Sequence, residues 1–165
     1  MPPRLPPPDL RYSWQKQECS LTLRQGLEEL RKNIPGYFDE TKLPPRSAQL
    51  FHCHDHCHVI FGLWTSIPEE AMVDTWSLAG TDVGWKNYMQ YLNLPEVREL
   101  VHNNKWHLFI DSVKAIPDMI RTWLAARRMT KKWPFYGGDA FMDKPLNEIR
   151  REFNIQVVAH HHTPG

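Results

Sequence analysis

The stretch SAQLFHCHDHCHVIFGL, residues 47–63, decides how the chain is read. Pro44-Pro45 breaks the chain just before it, and Ser47 supplies an N-cap, so the spacing predicts a helix from Ser47 to about Leu63. On a helix, residues three and four apart are neighbours, roughly 5–6 Å between Cβ atoms. That rule sorts the crowded segment His52–His58 into stripes. His54, Asp55 and His58 share one face with Phe51 and Gly62. His52 and His56 form a second pair, and Cys53 and Cys57 a third with Leu50 and Trp64.

Working outward, the rest of the chain reads as helices divided by proline and glycine. Leu23, Leu27, Leu30 and Ile34 follow helical spacing, closed by Pro35-Gly36. Ser66-Ile67-Pro68-Glu69 has the form of a capping box opening the next helix, which Gly80 and Gly84 end or interrupt. Leu94-Pro95 begins a short helix. Trp106, Phe109, Ile110 and Val113 mark a long amphipathic one, which Pro117 should kink before Ile120, Trp123 and Leu124 continue it. Residues 132–144 form a loop around Gly137-Gly138, and Pro145 opens a last helix through Phe153. Residues 155–158 alone show some strand-like alternation. The fold class is all-α, a single multihelical domain over residues 20–156. A Pro-rich extended arm (1–19) precedes it and a flexible histidine-containing tail (157–165) follows.

Composition narrows the function classes. A chain of 165 residues with 41% hydrophobic and 24% charged residues suits one globular domain with a real core. A net charge of +1 argues against nucleic acid as a partner. Three cysteines make no disulfide framework and point to a reducing compartment. No run of about 18 apolar residues exists to span a bilayer. The N-terminus, MPPRLPPPDL, reads as neither a signal peptide nor an Arg- and Ser-rich presequence.

Two imidazoles one helical turn apart are the arrangement of helical zinc sites. Glu69 and Glu70 follow at the next helix start, so a carboxylate can return to the same place. The capping box assigns Glu69 to its own backbone and leaves Glu70 to point inward. His54, His58, Asp55 and Glu70 would then set two neutral imidazoles and two negative charges around a divalent cation. Such a mixed set with open positions accepts water or a substrate oxygen.

His54-Asp55-x-x-His58, eleven residues and then Glu70 is similar to the HDxxHx11E signature of the ubiquinone (coenzyme Q) biosynthesis protein four family. HVIFGL (58–63) resembles the family's continuation of that helix, and PLNEIRREFNI (145–155) its C-terminal helix of the form PLxxLRxELGI. The resemblance covers residues 45–156. It implies an all-helical protein peripherally attached to the membrane that makes ubiquinone: the matrix side of the mitochondrial inner membrane in a eukaryote, the cytoplasmic face of the inner membrane in a bacterium. It implies oxidative decarboxylation of a polyprenylated 4-hydroxybenzoate, with the ring carboxylate replaced by hydroxyl, and organisation of the other biosynthetic enzymes. His54, Asp55, His58 and Glu70 become the implied catalytic and metal-binding residues. Zinc is the first choice of ion, with cobalt, iron, manganese or magnesium as alternatives, and a homo-oligomer is admitted.

The remaining residues receive plainer assignments. Cys53 and Cys57 are expected as buried small hydrophobes. His52 and His56 are expected at the rim or facing solvent, and His160, His161 and His162 in a tail. Arg121, Arg127, Arg128, Lys131 and Lys132 lie beside Trp123, Met129, Trp133, Phe135 and Tyr136. They either complement a helix C-terminus or anchor the protein on anionic lipid. Two other functions compete with the enzyme: a non-catalytic prenyl-lipid scaffold, and a metal-dependent phosphohydrolase of the HD type.

Overall fold

In a computed structural model of the chain, the described residues are 12–34, 43–95, 98 and 105–159, with backbone alone for 105–112. Six helices are described: α1 (Leu23–Asn33), α2 (Pro45–Phe61), α3 (Ile67–Gly80), α4 (Trp85–Leu92), α5 (Lys105–Ala126) and α6 (Leu146–Phe153). Short 3-10 turns at Ser13–Gln15 and Gly138–Phe141 complete the set. The all-α class holds. Residues 155–158 form no strand, and β-type pairing among the described residues is limited to the isolated bridges Thr22–Pro145 and Thr81–Trp133.

α2 is the axis of the fold. Histidine, cysteine, valine and isoleucine are indifferent helix formers, so propensity does not account for it. Its ends and its surroundings do. Pro45 opens the helix at a position where its missing N–H is no loss, one turn earlier than the Ser47 cap that the sequence suggested. Gly62 closes it in the left-handed conformation (φ 75°), and Val157 Cγ1 would lie 2.8 Å from an added Cβ. Every residue from Cys53 to Phe61 is buried, so the helix is covered on all sides.

The wrapping elements are α1, α3, the N-terminal turn and α6. α1 is capped reciprocally: the Gln25 backbone N–H donates to Thr22 Oγ1 and the Thr22 N–H to Gln25 Oε1. It buries Leu23, Leu27 and Leu30, as their spacing predicts. The domain begins earlier than residue 20. Trp14, Gln15 and Cys19 are buried, so residues 12–19 belong to the core and not to an arm. Residues 157 and 158 are likewise anchored, since the Val157 N–H donates to Gln17 Oε1 at 2.7 Å and Val158 is buried. The proline-rich residues 1–11, the turn at Pro35-Gly36 and His160–His162 lie outside the described residues, and the short helix at Pro95 lies largely outside them.

α5 runs through Pro117 as one helix and packs chiefly along α3. Among the described side chains it buries small or polar residues, Ala115, Asp118, Thr122, Ala125 and Ala126. Its large apolar residues Val113, Ile116, Ile120, Trp123 and Leu124 are exposed.

Candidate metal centre

The register of α2 places His54 and His58 on one side, their rings 4.8 Å apart. Both are nearly sealed from solvent. His58 Nδ1 lies 3.1 Å from the Leu63 carbonyl oxygen, which the left-handed turn at Gly62 brings back over the helix end. A carbonyl only accepts, so Nδ1 carries a proton and Nε2 is the nitrogen turned to the site. Holding the outer ring nitrogen on a carbonyl is how metal-ligating histidines are oriented. His54 is fixed differently, by stacking on Tyr91 of α4 (4.7 Å, 21°). Its Nε2 is buried and has no hydrogen-bond partner among the described residues.

α3 supplies the acid. Glu70 Oε1 lies 3.3 Å from His58 Nε2, and Glu70 Oε2 lies 3.8 Å from His54 Nε2. One ligand atom from each of His54, His58 and Glu70 falls within a 4.8 Å span. Burial alone would push His58 towards the neutral form, but the Glu70 carboxylate outweighs it and raises the imidazole to about 9. Burial would raise Glu70, yet His58, by charge and hydrogen bond, holds it below the usual carboxylate value. Without metal, a proton on His58 therefore occupies the place a cation would take. The two histidines form a closed floor, while the partly exposed Glu70 and Asp74 leave the carboxylate side open.

Glu69 is engaged elsewhere, as expected, although not through a capping box. It is buried, accepting from the Trp64 N–H at 2.8 Å and from the Ser66 hydroxyl at 2.6 Å. Asp55 takes a different partner. It is not among the three convergent ligands, and its Oδ2 lies 3.2 Å from Arg31 Nε of α1. The chain's own carboxylate nearest to replacing it is Asp74, which sequence reading passed over. Its Oδ1 is 3.9 Å from His54 Nε2, and Tyr88 donates a hydrogen bond to the same oxygen. Asp74 lies four residues after Glu70 on α3, so helical spacing carried the signal.

The other face of α2 holds a surprise. His56 is buried, not at the rim, while His52 is partly exposed. Cys53 and Cys57 are buried free thiols, as expected, and burial pushes the Cys53 thiol up to about 12. Neither is poised as a thiolate ligand. A separate cavity of about 310 Å³ is lined by Gln17, Arg128, Arg150, Arg151, Asn154, Ile155 and Gln156, away from these histidines.

Compared with protein-family models, curated proteins and solved structures, the chain matches none.

Proposed function

We propose that this chain is a ubiquinone-biosynthesis protein that carries out metal-dependent oxidative decarboxylation of a polyprenylated 4-hydroxybenzoate at His54, His58 and Glu70. One observation carries the reading. Two buried imidazoles and a carboxylate from the next helix meet at one point, with His58 already oriented by the Leu63 carbonyl. Two nitrogens and one oxygen with open positions suit zinc or a similar divalent ion. When bound, such an ion supplies a Lewis acid for carboxylate and phenol oxygens.

The chain's own residues do the rest. His58 keeps its outer proton on Leu63, so when the inner proton leaves, the Nε2 lone pair is directed into the site. Tyr91 holds the His54 ring by stacking, and Tyr88 holds Asp74 beside it. Asp55, paired with Arg31, places a further negative charge close to His58. In the net reaction the ring carboxyl would leave as carbon dioxide and water would supply the hydroxyl, with dioxygen taking the two electrons and two protons as hydrogen peroxide. The outward apolar stripe of α5 supports a lipid-facing role, because a polyprenyl substrate resides in the bilayer. No helix among the described residues is long and apolar enough to cross a membrane, so docking would be peripheral.

The test is turnover. Metal-loaded protein is given a prenylated 4-hydroxybenzoate with and without oxygen, and carbon dioxide and the hydroxylated product are measured. Aerobic conversion that is lost in His54→Ala/His58→Ala supports the reading. Lipid binding without conversion would instead show a scaffold. Phosphate release from phosphoester substrates would show a hydrolase.

A further inference from the structure

We propose that His52, His56 and Asp139 form a second transition-metal site, for zinc or a comparable borderline divalent ion, on the opposite side of α2 from His54 and His58. At 3.6 residues per turn, a two-residue step rotates a side chain by about 200°, so the second histidine pair faces away from the first. The two sites share a helix and no ligands.

Three observations place a site here. His52 and His56 repeat the one-turn spacing, with rings 4.5 Å apart. Asp139, carried in by the Gly138–Phe141 turn, sets Oδ1 2.8 Å from His52 Nε2 and 3.7 Å from His56 Nε2. Around a tetrahedral zinc with bonds near 2.1 Å, ligand atoms stand about 3.4 Å apart, which these separations bracket. Third, His56 is 1% exposed, and neither of its ring nitrogens has a hydrogen-bond partner among the described residues. Buried polar atoms are nearly always paired, so this imidazole lacks the partner its position demands.

The loop is shaped to this histidine. A Cβ on Gly138 would come within 2.4 Å of His56 Nδ1, so glycine is what lets the turn lie against the ring and present Asp139 beside it.

Arg31 makes this the weaker site. Its Nη2 lies 3.0 Å from His52 Nδ1, and a guanidinium only donates, so His52 keeps its proton on Nε2 and donates it to Asp139. Metal at Nε2 requires that proton to move to Nδ1 and Arg31 to withdraw from the ring. Its contact with Asp55 is made through a different nitrogen, Nε, at 3.2 Å. The proton stays on the His52 ring, shifted from Nε2 to Nδ1, so the ion binds a neutral imidazole with no proton released and no change in oxidation state.

The experiment is zinc equilibrium dialysis on the full chain, with His160, His161 and His162 replaced by alanine in every variant to remove competing imidazoles. The expected stoichiometry is two zinc ions per chain. His52→Ala/Asp139→Asn should retain one, His54→Ala/His58→Ala should retain one, and the combined variant none. Asp139 is largely exposed, so Asp139→Asn alone tests the site without disturbing the core and should weaken the second zinc at least tenfold. Circular dichroism confirms that each variant is folded. Parent protein that takes up a single zinc, lost in His54→Ala/His58→Ala, overturns the proposal. Two zinc ions retained in His52→Ala/Asp139→Asn overturn it equally. A single zinc lost only in His52→Ala/Asp139→Asn would support this site and remove the metal from the first.

Discussion

Glu69 and Glu70 are neighbours in sequence with different partners, and one methylene-conserving change separates them. Glu70→Gln removes the charge that faces both His54 and His58, so zinc affinity should fall at least tenfold. Glu69→Gln keeps an oxygen for the Trp64 N–H, and the Ser66 hydroxyl can turn to accept from the new amide. Zinc affinity should then change less than twofold. Competition against a chromophoric chelator reads both values, and equal losses would show that the pair is wrongly divided. The sequence suggested this division through a capping box, which does not form; Glu69 is held instead by the Trp64 N–H and the Ser66 hydroxyl ahead of the helix. The position of Asp55 was not legible in the sequence. Arg31 reaches it from 24 residues away, a tertiary contact that no local spacing encodes.

At the scale of elements, α2 is held by a residue whose role sequence reading missed. Arg150 of α6 is fully buried and donates to the Val59 and Ile60 carbonyls at the end of α2. It also donates to the carbonyls of Trp14, Lys16 and Gln17. One guanidinium thus terminates α2 and ties the N-terminal turn to it. Burial lowers its ordinary value only to about 10, so the charge persists at neutral pH. Arg150→Met would leave buried carbonyls unpaired, each costing about 1–3 kcal/mol. Counting only the Val59 and Ile60 carbonyls, a loss of about 3 kcal/mol corresponds to a fall in Tm on the order of 10 °C for a chain of this size. Arg150→Lys should recover little, since an ammonium cannot reproduce the planar fork. Thermal unfolding with each variant tests this, and a change under 2 °C would contradict it. The helix boundaries were readable because proline and glycine mark them chemically. Arg150 was not, because an arginine in an amphipathic helix reads as surface until its neighbours are known.

For the whole molecule, the orientation of α5 matters most. Its apolar pattern announced a helix, and where it packs along α3 its described inward residues are Ala115, Asp118, Thr122, Ala125 and Ala126. Ile120, Trp123 and Leu124 consequently stand outward beside Arg127, whose guanidinium lies 4.7 Å from the Trp123 ring centre. Lys131 and Lys132 are less available for lipid than their sequence position suggests. Lys131 pairs with Glu152, and Lys132 donates to the Ala79 carbonyl. Charge alone is screened at physiological salt, so docking depends on the apolar stripe. Ile120→Glu/Trp123→Glu should release the protein from anionic liposomes at moderate salt, whereas Lys131→Glu/Lys132→Glu should weaken binding only modestly. Co-sedimentation decides between them. Undiminished binding by the Ile120→Glu/Trp123→Glu protein would move the membrane contact elsewhere.

The proposed chemistry depends on a metal at the His54 face of α2. Anomalous diffraction at the zinc edge, from crystals of the tail-substituted protein grown with zinc, locates it directly. An anomalous peak about 2.0–2.2 Å from His54 Nε2, His58 Nε2 and a Glu70 oxygen is expected. Crystals with zinc in the medium and no anomalous peak between those three side chains would contradict it.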